Sequence, residues 1–228
     1  MASRGTFTTR LGGVSVVPYA ENNLGHHVGD DPHAVDANRA ASVGAMHADR
    51  AVFMRQVHGS DVAFVDARTL GDIDGVDALV TDVPGVALGV LVADCVPVIL
   101  QAQRAVGVAH AGRRGVRDGV VGRAVAALRQ LDDGPLTAQV GPAICGACYE
   151  VPGPLQDEVA GAVPATRSTT SKGTTGLDLR AGVVAQLRAA GVLDIRHHLA
   201  CTAEDPAYYS YRRDGVTGRF AGIVVLDP

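Results

Sequence analysis

Three side chains that bind transition metals lie where apolar stretches of the sequence end. His58 follows AVFMRQV, Cys95 lies within VADCVPV, and His110 is the last residue but one of RAVGVAHA. Two imidazoles and a thiolate are a good ligand set for Zn²⁺, and three protein ligands leave a fourth position for water or substrate, as in catalytic zinc sites. The same donors also suit copper, so the set alone does not choose the metal.

Two other roles remain open for these residues. A cysteine in an apolar strand is usually a small buried hydrophobe, and a histidine at a strand end is usually a hydrogen-bonded surface residue. Cys95 as a nucleophile with His110 as its base would instead make a cysteine hydrolase. Activity that survives chelation would distinguish the hydrolase from a metal enzyme.

A pair of arginines follows His110 closely. Arg113 and Arg114 are bracketed by glycines, just before a predicted helix over Val116–Leu131. Free backbone N–H groups and the positive end of a helix dipole favour an anion there, and guanidinium groups add charge-assisted hydrogen bonds to phosphate oxygens. The pair therefore predicts a phosphate-binding turn, unless both side chains are simply solvated. Three further arginines in the hairpin-like turn SYRRDGVTGR are interpreted as surface charge: Arg212, Arg213 and Arg219.

The pair of cysteines in CGAC, Cys145 and Cys148, is a competing signal. Such a pair is typical of a redox dithiol or of half a structural zinc site. A redox motif is expected to open a helix, whereas a proline precedes this one and YEVPGP follows it. The sequence has no second CxxC to complete four sulfur ligands, so it gives little support to either role.

The composition is typical of a globular protein with an aliphatic core. Of 228 residues, 47% are hydrophobic and only 4% aromatic, and the formal net charge is −4, which argues against a nucleic-acid surface built on positive charge. The N-terminal MASRGTFTTR lacks the apolar segment of a secretory signal. The longest apolar run, Gly85 to Leu100, carries Asp94 and Pro97 and is too short to cross a bilayer. We therefore expect a cytoplasmic protein with reduced cysteines and neither a nucleic-acid nor a membrane partner.

The elements that must position these residues alternate between strands and helices. Helical spacing predicts four helices, over Asp36–Val52, Val116–Leu131, Pro154–Val163 and Leu179–Ala190, and a polar loop over Arg167–Gly176. Strands are predicted at AVFMRQVHG, DALVTD, GVALGVLVADCVPVILQ, RAVGVAHAG, LTAQVGPAI, DIRHHLACT and FAGIVVL. The third is nearly all apolar, so we expect it to be buried on both faces. The pattern predicts a mixed α/β fold in a single domain over residues 1–228.

Seven blocks occur in order along the chain: TTRLGGVS, NLGHHVGDD, RQVHG, VADCVPV, HAGRRG, GPAICGACYEV and SYRRDGVTGR. Together they resemble the bacterial polyphenol-oxidase or laccase-domain family, also called the peptidoglycan-editing-factor family, from about Phe7 to the C-terminus. The resemblance implies a single domain built as a layered α/β/β/α sandwich. It also implies a metal site, usually zinc, whose ligands are His58, Cys95 and His110.

The resemblance further implies a purine nucleoside phosphorylase that acts on inosine, adenosine and 5′-methylthioadenosine with phosphate. Adenosine deaminase activity and a copper-dependent oxidation of phenols are attributed to similar proteins as well. The implied substrate-binding residues are Arg114, the first candidate for phosphate, with Arg113 and with Asn23 of the NLGHHVGDD block. The oligomeric state stays open.

Two positions depart from the family pattern. HAGWRG is usual, so Arg113 occupies a tryptophan position, and its planar guanidinium could stack on a base in place of the indole. GPAIGPCCYEV is usual, so Cys148 keeps a family position while Cys145 stands in an unusual one. The first departure puts substrate preference in doubt, and the second makes any role of the CGAC pair peculiar to this chain.

Three rival functions compete with the phosphorylase. A copper-dependent phenol oxidase is disfavoured because multicopper oxidases need many histidine ligands, some of them paired with HxH spacing. This chain has eight histidines in all, and no two of them have that spacing. A cysteine–histidine hydrolase would trim wrongly incorporated residues from peptidoglycan precursors. A non-catalytic binding protein is the third, and substitution of Cys95 without a phenotype or a loss of turnover would favour it.

Overall fold

The computed structural model describes residues 2–227 as two stacked β-sheets between two layers of helices. Its helices are α1 (Pro32–Ala45), α2 (Arg113–Arg117), α3 (Val120–Leu131), α4 (Gly153–Ala162), α5 (Leu179–Ala189) and α6 (Tyr211–Asp214). Its strands are β1 (Ser3–Phe7), β2 (Arg50–Arg55), β3 (Val62–Phe64), β4 (Ile73–Asp74), β5 (Ala78–Thr81), β6 (Val86–Val92), β7 (Val96–Gln101), β8 (Val106–Ala111), β9 (Thr137–Val140), β10 (Arg167–Thr169), β11 (Thr175–Leu177), β12 (Asp194–His197) and β13 (Phe220–Leu226).

Strand pairing makes two large mixed sheets and a separate hairpin. The five-stranded sheet has the order β1-β13-β6-β2-β4, and β2 runs parallel to both of its neighbours. The six-stranded sheet has the order β12-β9-β7-β8-β5-β3, in which the two outer pairs are parallel and the inner pairs antiparallel. The predicted mixed α/β fold is confirmed.

Aliphatic side chains fill the three interfaces between the layers. Val90 and Ile99 belong to the cluster that joins the inner faces of the two sheets. Met46, at the end of α1, packs on the outer face of the five-stranded sheet, while Leu128 of α3 and Leu187 of α5 pack on the six-stranded sheet. Each fully buried leucine or valine contributes roughly 1.5–3 kcal/mol relative to its exposed state. The layers therefore follow the α/β/β/α order that the resemblance implied.

The longest predicted strand, GVALGVLVADCVPVILQ, is wrong as a single strand. β6 ends at Val92 in the five-stranded sheet, and β7 begins at Val96 in the six-stranded sheet. Between them Asp94 has a φ of 89°, a conformation in which aspartate is enriched relative to apolar residues. The chain therefore crosses from one sheet to the other at this point, and Cys95 lies at the crossing.

The predicted helix over Asp36–Val52 is displaced towards the N-terminus. α1 begins at Pro32, where the Asp31 side chain accepts a hydrogen bond from the His33 N–H, and proline suits the first helical position. The helix ends at Ala45, because the next apolar residues extend into β2 beside β6.

The predicted helix over Val116–Leu131 is two helices. Gly119 has a φ of 81°, which glycine adopts without steric cost, and it separates α2 from α3. Arg113 and Arg114 are therefore the first residues of a five-residue helix, not a turn before a long one. The predicted polar loop over Arg167–Gly176 contains most of the β10–β11 hairpin instead.

The remaining predictions lie closer to the structure. α4 and α5 begin and end within one residue of the predicted bounds, and FAGIVVL forms β13. The strands predicted at AVFMRQVHG and DIRHHLACT end early, at Arg55 and His197. As a result His58 lies in a loop after β2 rather than at a strand end, and the short strands β1, β3 and β4 were not predicted. Within residues 2–227, no helix combines the length and apolar character needed to cross a membrane.

Candidate functional site

The structure brings His58, Cys95 and His110 together. One ligand atom from each lies within 4.8 Å of the other two, and the Cys95 Sγ is 3.9 Å from the His58 Nε2. The two imidazole rings meet edge to face, with centroids 4.7 Å apart and an interplanar angle of 82°. The three side chains come from the loop after β2, the crossing before β7 and the end of β8, and together they form what we call the three-ligand centre.

Asp77, a residue that the sequence analysis missed, holds two of these ligands in place. Its buried carboxylate lies 2.7 Å from the His110 Nδ1, which leaves the Nε2 of that ring for a metal. The same carboxylate accepts hydrogen bonds from the backbone N–H groups of Val57, His58 and Gly59, at 3.2, 3.0 and 2.6 Å. A carboxylate behind a ligating histidine is a common feature of metal sites, because it fixes the ring and its tautomer.

Gly112 makes room for the three-ligand centre. A Cβ atom at this position would lie 2.8 Å from the His58 Cδ2, 3.2 Å from the Cys95 Sγ and 3.3 Å from the His110 Cε1. The first distance is shorter than van der Waals contact allows, so a side chain here would displace the ligands. The glycine after β8 is therefore required by close approach.

The charges of the three-ligand centre favour a thiolate. Burial raises the pKa of Cys95, but His110 and His58 outweigh it and bring that pKa to about 6. Burial lowers the pKa of His110, but Cys95 and Asp77 outweigh it and bring that pKa to about 9. The thiolate is the form of cysteine that ligates metals. Two imidazoles, a thiolate and a supporting carboxylate fit a zinc or copper ion in this position.

A cavity of about 770 Å³ opens beside the three-ligand centre, and its size is ordinary for a small-molecule site. One part of its wall is apolar, with Leu91, Ile144 and Leu179. Another part is strongly basic, and it is formed by Arg55, Arg113, Arg114, Arg212 and Arg219. The arrangement suits a ligand that is apolar or aromatic at one end and anionic at the other.

Arg113 and Arg114, for which the sequence predicts a role in anion binding, both line the cavity. The Nη2 of Arg114 donates to the carbonyl of Val57 at 2.9 Å, so this arginine also fastens the loop that carries His58. Burial raises the pKa of Tyr149, and the Arg113 guanidinium opposes this shift. Because α2 has only five residues, the side chains rather than a long helix dipole supply the positive charge.

The structure does not bring Asn23 to the cavity wall. Its side chain is completely buried, accepts the N–H of Arg219 at 2.8 Å, and donates to Asp30 at 2.8 Å. Arg219 itself lines the cavity, where its Nη1 donates to the carbonyls of Thr217 and Gly218. Asn23 is therefore placed to position Arg219 rather than to touch a ligand.

The arginines of SYRRDGVTGR are not all surface charge. Arg212 lines the cavity, with its guanidinium carbon 5.1 Å from the centre of the Tyr149 ring. Its backbone N–H donates to Asp94 at 2.6 Å, which connects α6 to the crossing that carries Cys95. Arg213 instead pairs with Asp214 and donates to backbone carbonyls. Sequence spacing could not distinguish the role of Arg212 from that of Arg213, because the packing of α6 decides which of the two side chains faces the cavity.

Comparison with known proteins finds relatives that align over nearly the whole chain. Residues 4–227 match the family model described as "Multi-copper polyphenol oxidoreductase laccase". A protein of Streptomyces griseus named "Purine nucleoside phosphorylase" is 53% identical, over 97% of this chain and 93% of its own. A Mycobacterium tuberculosis protein of the same name is 48% identical, over 96% and 90%.

Solved structures with the same fold also cover nearly the whole chain. A Neisseria meningitidis protein of the family DUF152 superposes with a TM-score of 0.89 at 35% identity, covering 99% of this chain and 95% of its own. YlmD from Geobacillus stearothermophilus superposes with a TM-score of 0.90 at 34% identity, covering 99% and 92%. The chain therefore belongs to the laccase-like, DUF152-type family of that model, as its sequence motifs predicted.

Proposed function

We propose that this protein is a zinc-dependent purine nucleoside phosphorylase. It would cleave inosine, adenosine and 5′-methylthioadenosine with phosphate, to give the free base and (methylthio)ribose 1-phosphate. The observation that carries the proposal is that the three-ligand centre and five arginines share one cavity of about 770 Å³. The names of the Streptomyces and Mycobacterium relatives support it. The four free cysteines are consistent with a cytoplasmic location, where thiols stay reduced.

The arginines hold the phosphate. Arg113, Arg114 and Arg212 line the same cavity as the three-ligand centre, and guanidinium groups bind phosphate oxygens through short charge-assisted hydrogen bonds. Phosphate held in this way is positioned to attack the anomeric carbon as the bond to the purine breaks. Positioning of two reactants in one cavity removes much of the entropic barrier to their reaction.

The apolar wall and the aromatic groups receive the nucleoside. Ile144 and Leu179 form an apolar surface beside the ring of Tyr149, and a purine can stack on an aromatic ring or on a guanidinium plane such as that of Arg113. The transition state has oxocarbenium character on the sugar and negative charge on the departing base. The phosphate anion stabilises the sugar, and the nearby cations stabilise the base.

A Zn²⁺ ion held by His58, Cys95 and His110 would supply Lewis-acid polarisation of an oxygen at its open fourth position. The protein's own contribution is to prepare that position. Asp77 fixes the ring of His110 and the backbone of His58, and Gly112 leaves the space between the ligands free.

Adenosine deamination is expected as a side activity, slower than phosphorolysis. Zinc deaminases use a carboxylate that is not a ligand as general acid and base. Among the described residues that line the cavity, Asp94 is the single carboxylate. Its two oxygens already accept hydrogen bonds from the Thr202 hydroxyl and the Arg212 N–H, each at 2.6 Å. Proton transfer by this group is therefore hindered.

A second candidate function is supported by the thiolate itself. A Cys95 with a pKa of about 6 beside His110 resembles a cysteine nucleophile with its base. Such an enzyme would hydrolyse an amide or ester, for example in a peptidoglycan precursor, without metal. Copper-dependent oxidation of phenols is a third, favoured by the description of the family model.

The test uses purified protein whose metal content has been measured. Zinc-loaded protein is incubated with inosine, adenosine or 5′-methylthioadenosine, with and without phosphate, and the products are separated by chromatography. We expect release of the base that depends on phosphate and is lost in His58→Ala. The matched control is His47→Ala, an exposed histidine that also has a positive φ, 49° against 58° for His58.

The other outcomes select the rivals. Base release that persists after chelation would contradict the zinc requirement. Ester hydrolysis by metal-free protein without any nucleoside cleavage would establish the hydrolase. Phenol oxidation by copper-loaded protein, with no nucleoside product from either metal form, would establish the oxidase.

A further inference from the structure

A second cluster of metal-binding side chains lies outside the three-ligand centre. The sulfur atoms of Cys145, Cys148 and Cys201 and a carboxylate oxygen of Glu204 all lie within 4.8 Å of one another. Sheet topology explains why they meet. The parallel strands β9 and β12 are neighbours, so the segments that follow them leave the same edge of the six-stranded sheet. A bridge between Ala143 and Cys201 continues that pairing.

The four side chains come from two turns of the same design. In the first turn, the N–H groups of Cys148 and Tyr149 both donate to the carbonyl of Cys145 at 3.0 Å. In the second, the N–H groups of the residues three and four positions on donate to the carbonyl of Cys201, at 3.0 and 2.8 Å. Each turn therefore presents two ligands spaced as C-x₂-C or C-x₂-E, within the spacing usual for structural zinc. The missing second CxxC of the sequence is replaced by a cysteine–glutamate pair.

The members of the cluster already contact one another. The Cys145 N–H donates to the Cys201 Sγ at 3.3 Å, and the Cys148 thiol lies 3.4 Å from a Glu204 oxygen. Gly146 is packed so tightly that a Cβ there would lie 2.5 Å from the Ser168 hydroxyl. The first turn is consequently held against the β10–β11 hairpin, with little freedom to rearrange.

The spacing and the charge suit a thiophilic divalent cation. Sulfur ligands around a tetrahedral zinc lie about 3.8 Å apart, given bonds of about 2.3 Å, so the cluster needs to contract by roughly 1 Å or less from its limit of 4.8 Å. The groove that Cys148 borders is lined by two cations, Lys172 and Arg212, and by one carboxylate, Glu150, so its charged side chains are net positive.

We propose that Cys145, Cys148, Cys201 and Glu204 form a second, structural metal site that binds Zn²⁺. Four protein ligands leave no open position, which distinguishes this site from the three-ligand centre. The proposal goes beyond the proposed function and does not depend on it.

The second site connects to the cavity through two short paths. Tyr149, next to Cys148, lines the cavity. Thr202, next to Cys201, donates through its hydroxyl to Asp94 at 2.6 Å, beside Cys95. A metal that joins the two turns therefore fixes one wall of the cavity and the crossing between the sheets.

The test measures bound zinc in a background that lacks the first site. The variant with both His58→Ala and Cys95→Ala is purified under reducing conditions, loaded with zinc and desalted. We expect one zinc ion per chain, and none after Cys148→Ser and Cys201→Ser are added. The matched control is Glu150→Gln, which alters an exposed carboxylate close to Cys148 but outside the cluster and should keep the ion.

Cobalt and thiol measurements on the folded first-site variant make the test independent of the Cys148→Ser and Cys201→Ser changes. Co²⁺ in the first-site variant should give intense thiolate-to-cobalt charge transfer, about three times that of a single thiolate, and zinc should protect all three thiols from alkylation. No bound zinc in the first-site variant would overturn the proposal. A mass lower by two hydrogens in protein purified under reducing conditions, with the disulfide assigned to Cys145 and Cys148 by peptide mapping, would also overturn it.

Discussion

The three-ligand centre and the cysteine–glutamate cluster use similar atoms in opposite ways. The first draws His58, Cys95 and His110 from three distant segments, with Asp77 behind them and a cavity in front. The second draws its four ligands from two short turns that face each other. A centre that must leave a position open needs support from surrounding residues, whereas a closed cluster is held by its own turns. The comparison predicts that damage at the first affects reaction, and damage at the second affects stability.

The largest effect is expected from Cys95→Ala. This change removes the thiolate of the three-ligand centre, so the rate of phosphorolysis should fall by more than about 100-fold. Loss of a residue that only supports a metal ligand typically lowers activity by about 10–100-fold, and loss of a ligand should lower it further. The measurement is the initial rate of base release from inosine at saturating phosphate. A variant that keeps a rate within tenfold of the wild type would place the reaction elsewhere.

Asp77→Asn tests the support behind the centre. The amide loses the charge that orients His110 and cannot accept all of the same N–H groups, so zinc affinity should fall about 10–100-fold. Competition with a coloured chelator measures the dissociation constant. Asp82→Asn is the control, because this exposed residue follows β5 without contacting the centre, and its affinity should be unchanged. Equal losses in both variants would exclude a specific role for Asp77.

Gly112→Ala tests close approach. The added Cβ at 2.8 Å from His58 forces the ligands apart, and overpacking of this kind costs about 1–3 kcal/mol, which corresponds to roughly 5–150-fold in zinc affinity. In Gly122→Ala the new methyl has nothing within 4 Å, and in the first turn of α3 it should stabilise the protein by at most about 0.5–1 kcal/mol. Calorimetric titration with zinc, together with thermal melts, separates the two results.

Arg113→Ala tests the basic wall. Loss of a charge-assisted hydrogen bond to phosphate should raise the KM for phosphate roughly tenfold. Arg117→Ala is the matched control on the same helix, since Arg117 pairs with Asp118 and Glu158, and its loss should leave that KM unchanged. Steady-state kinetics with varied phosphate decide, and an unchanged KM in Arg113→Ala would remove this residue from the phosphate site.

Cys148→Ser should have the smallest effect on turnover, within about threefold. Its effect should appear in stability, because zinc at 100 times its dissociation constant stabilises a folded protein by about 2.7 kcal/mol. For a chain of this size the melting temperature should then fall by about 5–10 °C. Differential scanning calorimetry with and without zinc measures this shift. A loss of turnover without a change in melting temperature would contradict the division between the two regions.

Much of the fold, and which three side chains come together in the three-ligand centre, could be predicted from the sequence. Residue type and seven motifs pointed to His58, Cys95 and His110, and hydrophobic spacing located α4, α5 and β13. Hydrophobic spacing does not show which sheet a strand joins, so the division of the apolar run at Asp94 was missed.

Two further features depend on pairing between distant segments. Asp77 precedes β5, and only the antiparallel pairing of β5 with β8 brings its carboxylate beside His110. The CGAC pair gave little signal because its partners, Cys201 and Glu204, lie in another segment and include a carboxylate where a thiol was sought. Residue types were informative in both cases, but the contacts that give them meaning arise only in the folded chain.

The crossing at Asp94 gives the metal centre a mechanical consequence. His58 follows a strand of the five-stranded sheet, His110 is the last residue but one of a strand in the six-stranded sheet, and Cys95 lies where the chain passes between the two sheets. An ion bound by all three would cross-link the two sheets, so movement of one sheet relative to the other must stretch or break bonds between the ion and its ligands. By thermodynamic linkage, a packing defect in the core between the sheets should weaken metal binding. Ile99→Val creates such a defect outside the cavity lining, and a zinc titration of this variant should show the lower affinity.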